Sequence, residues 1–530
     1  MITDLAALEL SGRTTTAGRG KRPRPPFGVS TIAVIAVLIA LVSLVPLGYV
    51  AFMTAVTGWD TAASLIFRPR VGELLLNTAL LIAFTVPLCL VLGVGAAWLV
   101  ERTELRGHKV WAVLLAAPLA IPAFVNSYAW VSAVPSLEGL FSGVLIATLS
   151  YFPLVYIPAA ATLSRLDPAV EQSAASLGLG AWRAFFRVVL PQLRIAMTGG
   201  ALLVSLHLLA EYGAFAMIRF DTFTTAIMVQ FRSTFNGPAG NMLASVLVFF
   251  CLILLLVEVR SRGTARYARV GSGAQAKALR LPLHAYQLPA QAALLTASTL
   301  AFGLPLLFVF RWIVAGGSDV WAADEFLPAL LQTLGFGLGG ALVTTAVAFP
   351  MAYLAVRHAS WFSKALELSN YITSSMPGIV VGLAFVTVSI RLAPGIYQTA
   401  FVLIAAYVLL FLPRALVSIR AGLAQAPKEL DEAAQSLGTP PLLSFIRVTL
   451  RLTAPAAAGG AALVFLAIVN ELTATLLLAP NGTRTLATEF WSKSSEIDYA
   501  GAAPYALLMI VISAPMTYLL FQQSKKVAGQ

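Results

Sequence analysis

Glu171-Gln-Ser-Ala-Ala-Ser-Leu-Gly178 and Asp431-Glu-Ala-Ala-Gln-Ser-Leu-Gly438 are one pattern written twice, 260 residues apart. Each is a short run of helix formers stopped by glycine, a residue suited to the position after a helix end. A basic, aromatic stretch follows each one, Phe185-Phe186-Arg187 and Phe445-Ile446-Arg447. The match extends outward from there. Val188 and Leu190 meet Val448 and Leu450, Gly199-Gly200 meets Gly459-Gly460, and Glu211 meets Glu471. Upstream the offset is 255, pairing Thr78 with Thr333, Arg102 with Arg357, Pro122 with Pro377, Pro158 with Pro413 and Arg165 with Arg420. Apolar similarity alone is cheap, but polar, glycine and proline positions paired in one order define an internal repeat.

Between these landmarks the chain is apolar: of 530 residues, 59% are hydrophobic and 11% charged. Soluble domains carry about 25% charged residues. A bilayer core about 30 Å thick needs roughly 20 apolar residues per helix. Runs of that kind fall at 29–53, 75–99, 110–133, 139–163, 196–218 and 240–259, then at 290–314, 329–356, 371–390, 398–419, 455–479 and 503–524. The expected fold is therefore an all-α polytopic membrane protein of about twelve helices in two parallel six-helix repeats. Proline and serine interrupt 139–163 and 371–390. Residues 1–28 are polar and basic, and the apolar run after them is too long for a cleavable signal core.

Of the 35 Lys and Arg residues, 27 fall on the N-terminal side of the spans and 8 on the other, which places both termini in the cytoplasm. The organisation read from this is a cytoplasmic tail 1–28, a first half 29–260, a cytoplasmic linker 261–289, a second half 290–524 and a tail 525–530. An even number of spans makes the halves parallel, with a pathway between them. The paired glycines would let spans five and eleven approach a neighbour closely.

Several functions are excluded. The net charge of +12 sits between apolar runs rather than along one stripe, so membrane lipid and not nucleic acid is the partner. Cys89 and Cys251 lie inside apolar runs, and His108, His207, His284 and His358 are scattered without metal-ligand spacing. Gly335-Phe-Gly337-Leu-Gly-Gly340 fits a dinucleotide fingerprint but lies inside a span, where it serves helix packing. No GxxxxGK[ST] run occurs, so ATP hydrolysis, if used, belongs to another chain. A secondary transporter of the major-facilitator type shares the twelve-span plan. It would place charged motifs after span two, whereas here the repeat is strongest between spans four and five of each half.

Those loops resemble the coupling loops of binding-protein-dependent ABC importer permeases, which carry Glu-Ala-Ala, then glycine four residues on, and often Leu-Pro. The second half matches as Glu432-Ala433-Ala434…Gly438, with Leu450 followed by Arg451. The first reads Glu171-Gln172-Ser173-Ala174…Gly178, with Leu190-Pro191 intact. The resemblance implies a MetI-like permease fold, coupling helices near 168–178 and 428–438, two copies of a cytoplasmic ABC ATPase that uses the ATP, and a periplasmic solute-binding protein. Glu471-Leu-Thr-Ala-Thr-Leu-Leu-Leu-Ala-Pro480 with Thr485-Leu-Ala-Thr488, and Glu211-Tyr-Gly-Ala-Phe with Asp221-Thr-Phe-Thr-Thr225, are similar to the fused ferric-iron-type permeases. Thiamine and phosphonate permeases are close relatives of that group.

Glu211 and Glu471 are ionisable groups placed about 15 residues into apolar spans, and such groups are candidate functional sites. Two roles are open: lining a pathway or gate together with Tyr212, or capping a broken helix. Oxygen ligands suit ferric iron. Spans five and eleven carry no Lys or Arg within 196–218 or 455–479, which argues against an anionic solute. No firm metal site and no bound cofactor are expected.

Overall fold

The computed structural model describes residues 29–164, 166, 171, 173–174, 176–234, 237–262, 280–358 and 360–527. The tail 1–28, most of the linker 261–289, residues 168–170, Gln172 and the last three residues lie outside the described residues. Among the described residues the secondary structure is helical, and the one β pairing is an isolated bridge between Thr103 and Leu281. That bridge pins the end of the linker to the first half. Leu281 N donates to Arg102 O at 2.8 Å, and Glu104 N donates to Leu281 O at 2.9 Å.

Eight helices are long and apolar enough to cross a membrane, and four bent helix pairs bring the number to twelve. In chain order the spans are Thr31–Ser43 with Val45–Thr57, Pro69–Arg102, His108–Ala120 with Ala123–Ala133, Gly139–Leu163, Trp182–Gln192 with Arg194–Ala210, and Gly237–Val257. The second set is His284–Gly316, Asp324–Arg357, Trp361–Thr373 with Gly378–Leu392, Ala400–Gln425, Pro441–Val469 and Tyr499–Leu519.

Four of the expected spans differ in shape from a straight rod. Spans three and nine turn corners of 93° and 99°. Pro122 and Pro377, which are repeat mates, stand at those corners in extended conformation and start the helix that follows. Proline fixes φ, lacks the N–H and keeps the residue before it out of the helical region, so the helix stops and restarts in a new direction. By contrast, 139–163 crosses as one span, because Pro153 sits in the first turn of its second segment, where an N–H is dispensable.

Spans five and eleven end earlier than expected, at Ala210 and Val469, and the short helices Gly213–Met217 and Thr473–Leu478 follow. At their other ends they run back through wide π-turns at Phe185–Val189 and Phe445–Leu450. Only the first of the two bends at this end, by 67°, beside Pro191. The second has Arg451 at the matching position and passes straight through. Close approach is made by the second glycine of each pair. A Cβ on Gly200 would lie 3.1 Å from Val155 Cα of span four, and one on Gly460 would lie 2.9 Å from Ser418 Cβ of span ten.

The first span of each half packs against the other half. Span one lies on spans eight and nine, where Ser43 Oγ donates to Asn370 Oδ1 at 2.8 Å and Thr373 Oγ1 donates to Ser43 O. The Tyr49 hydroxyl is 2.9 Å from both Asn241 Oδ1 and Thr387 Oγ1. Span seven in turn packs on span three, where Trp312 Nε1 donates to Ser132 Oγ. The buried clusters accordingly mix residues of both halves, as where Phe124 and Tyr128 meet Phe490 and Tyr505. Large apolar side chains such as Leu76, Phe84, Val91, Leu331, Leu338 and Leu342 stay exposed along the spans, as a lipid-facing surface requires.

Candidate functional site

The two repeated loops lie at one end of the bundle. In the second, Pro427 starts the helix Lys428–Ser436, with Glu429 and Asp431 in its first turn, where helix dipoles favour acids. Gly438 stops it at φ +87°, and Thr439 N reaches back to Ala434 O at 3.1 Å. The first loop closes alike: Gly178 has φ +80°, and Leu179 N donates to Ala174 O at 3.1 Å. This six-to-one bond around a left-handed glycine is the Schellman closure. Immediately before each glycine a leucine stands out into solvent, Leu177 at 83% and Leu437 at 87% exposure. Glu432, Ala433 and Ser173 are exposed, Ala434 is half-buried and Ala174 is buried.

Both loops are tied to the end of the second span of their half by an arginine. Arg102 Nη2 stands 3.0 Å from Glu171 Oε1 and 3.4 Å from Leu166 O. Arg357 Nη2 stands 3.8 Å from Asp431 Oδ2 and donates to Ala426 O at 3.1 Å. The arginines are repeat mates, and so are the acids. Asp431 also accepts from Ser444 Oγ at 3.2 Å and from Thr449 Oγ1. The sequence pairing contained Arg102 and Arg357 without giving them a role. The available signal was a basic residue closing span two of each half and an acid at one fixed place in the following loop.

The two glutamates sit where spans five and eleven break. Glu211 Oε1 accepts from Ala214 N at 2.9 Å, and Oε2 accepts from Tyr151 Oη at 2.8 Å. Glu471 Oε1 accepts from Ala474 N at 2.6 Å. The same oxygen would be 2.9 Å from a Cβ on Gly378, the first residue of the helix restarted at Pro377. Each carboxylate thus serves the amides of a restarted helix. Tyr212 does not join them. Its ring packs on Trp491 with centroids 5.2 Å apart. The side chains beside Glu211, among them Ala123, Ser127 and Tyr151, close on one another and leave no cavity of ligand size.

His207, one helical turn before Glu211, and Arg414 also bear on this region. His207 lies against the Tyr151 ring at 5.4 Å. Arg414 is inside Ala400–Gln425, exposed, and within electrostatic reach of His207 and Glu471. Residues 196–218 and 455–479 lack Lys and Arg, yet span ten carries the cation of Arg414. Among the described residues no group of three or more His, Cys, Asp or Glu side chains is arranged to hold a metal ion. The Thr-x-x-Thr segments begin the helices Phe223–Arg232 and Leu486–Ser495. In the latter, Thr488 N donates to Thr485 Oγ1 at 3.2 Å and Thr485 N donates to Thr488 Oγ1 at 2.8 Å.

The family described as binding-protein-dependent transport system inner membrane component matches residues 345–529, which include the second loop and Glu471. The chain is 35% identical to the Fe(3+)-transport system permease protein FbpB 2 of Haemophilus influenzae, over 94% of this chain and 98% of that protein. It is 24% identical to the ferric transport system permease protein FbpB of Actinobacillus pleuropneumoniae, over 72% of this chain and 58% of that protein. It is 28% identical to the sulfate transport system permease protein CysT of Escherichia coli, over 31% of this chain and 67% of that protein.

Proposed function

The chain belongs to the inner-membrane permeases of binding-protein-dependent transport systems, and from that premise we propose that its solute is ferric iron, delivered by a periplasmic binding protein. The observation that carries this is the 35% identity, over 94% of the chain, to a permease named for Fe(3+) transport. Two copies of a cytoplasmic ATPase dock on the turns at Gly178 and Gly438, and ATP is bound and hydrolysed there rather than in this chain. Both termini then lie on the ATPase side, in line with the excess of basic residues on that side. Glu211 and Glu471 contribute negative charge where broken helices from both halves meet, a place where transporters of parallel repeats hold their solutes.

An oxyanion importer is the second reading. It is favoured by Arg414 exposed beside His207 and by the sulfate permease among the relatives. Purified permease, ATPase and binding protein in proteoliposomes decide between them with labelled ferric iron, sulfate, phosphonate and thiamine. ATP-dependent uptake of iron, with no ATP turnover by the permease alone, is the expected result. Uptake of another solute in place of iron overturns the iron assignment.

A further inference from the structure

Arg102 is the one charged residue buried outright among the described residues, at 2% exposure. Its repeat mate Arg357 has a side chain only 8% exposed. Arginine is rarely buried unless paired, and each of these faces two acceptors: the carbonyl of the chain entering the loop and the carboxylate of the loop itself. A planar guanidinium can hold both at once, which an ammonium point charge does less well. We propose that Arg102 and Arg357 are positioning residues that lock each coupling turn to the second span of its half, so that displacement of the turn moves the span. The proposal rests on the docking role given above to the two turns.

The alternative to a lock is a hinge. Had the loop been tethered only through its chain ends, motion of the turn would be absorbed by the residues on either side. The guanidiniums remove that slack, because they connect the loop to a helix that is not its neighbour in sequence. In the first half the same helix end is held further by the linker, through Leu281 N to Arg102 O at 2.8 Å. In the second half the carboxylate is held further by Ser444 and Thr449. Each clamp therefore has one added brace, placed on opposite partners of the ion pair.

The test uses the permease–ATPase complex in proteoliposomes with loaded binding protein. Arg102→Met and Arg357→Met should keep the ATPase bound and basal hydrolysis within about twofold, while the rise on adding binding protein falls about fivefold or more, with uptake following it. Lysine at either position should fall between. The exchange Arg102→Glu with Glu171→Arg should recover at least about half of the rise. Unchanged stimulation in both methionine variants overturns the proposal, as does loss of assembly that the exchange fails to restore. Cross-linking from Leu177→Cys and Leu437→Cys to the ATPase tests docking separately, so its failure would remove the docking role rather than the clamp alone.

Discussion

Replacing Gly438 tests the turn without disturbing packing. Its φ is +87°, and no atom lies within 4 Å of the place a Cβ would occupy; the same holds at Gly178, with φ +80°. A side chain there meets nothing, so its cost is that of the backbone alone, about 1–2 kcal/mol for a non-glycine residue held left-handed. If the docked form requires the closed turn, Gly438→Val reduces its population by a factor of roughly 5–30. The apparent Kd for the ATPase rises by the same factor. Gly178→Val adds an independent penalty, because the turns stand in different halves, and the double variant should lose about 2–4 kcal/mol of docking.

Asparagine is the control. It tolerates the left-handed region far better than valine, although both are larger than glycine. A backbone cost therefore predicts Gly438→Asn near the unsubstituted protein, whereas a steric cost would weaken both alike. The assay is titration of the ATPase onto permease in nanodiscs. Equal weakening by valine and asparagine, or unchanged binding in the double valine variant, refutes the reasoning.

Glu211→Gln combined with Glu471→Gln keeps an oxygen for the amides of Ala214 and Ala474 and removes the charge. Uptake of labelled iron should fall about tenfold or more, the equivalent of about 1.4 kcal/mol, with little change in thermal midpoint. Unchanged uptake would leave both side chains as caps only. Tyr151→Phe deletes the donor to Glu211 and should destabilise by about 1.5–3 kcal/mol, read as a lower thermal midpoint in detergent. At the end of span eight, burial and the neighbouring Lys428 hold the pKa of His358 below its ordinary 6.5. The unfolded chain then binds that proton more readily, so stability is full above pH 6.5 and is lost as pH falls through the folded value. His358→Gln should narrow the midpoint difference between pH 7.5 and pH 5 (about one unit above and one and a half below the pH where histidine ordinarily titrates); an unchanged difference counts against it.

The turns, the two halves and the number of spans were legible because each depends on local chemistry: glycine after a helix former, polar landmarks in fixed order, apolar runs of bilayer length. The corners at Pro122 and Pro377 were visible as paired prolines, and 371–390 as an interrupted run, but not as changes of direction, since hydropathy records length and not direction. The breaks at Glu211 and Glu471 were half legible. A carboxylate in an apolar run signals something exceptional, and only coordinates show that it answers the amides of a restarted helix. Arg414 was missed for a plainer reason. It stands inside the expected run 398–419, and a hydropathy run does not say which face of its helix a charge occupies.

What the two halves share and what they do not share divide along a physical line. The left-handed glycines, the buried arginines with their acids, the corner prolines and the glutamates recur at matching positions, and each is a mechanical or capping part that a parallel repeat needs twice. The departures fall elsewhere. Tyr151 and His207 have Ala406 and Ala467 as mates, and Arg414 has Ala159. Tyr151 donates to Glu211 and His207 packs on the Tyr151 ring, both from the first half, while Arg414 of the second half lies within electrostatic reach of Glu471. A backbone symmetric about an axis along the membrane normal thus encloses an unsymmetric set of side chains. If both turns dock an ATPase they must receive the same pull, but a solute crossing between the halves would meet one wall from each, and nothing requires those walls to be alike. Fusion of the halves into one chain is what allows them to differ, because a homodimer would place the same residues on both sides.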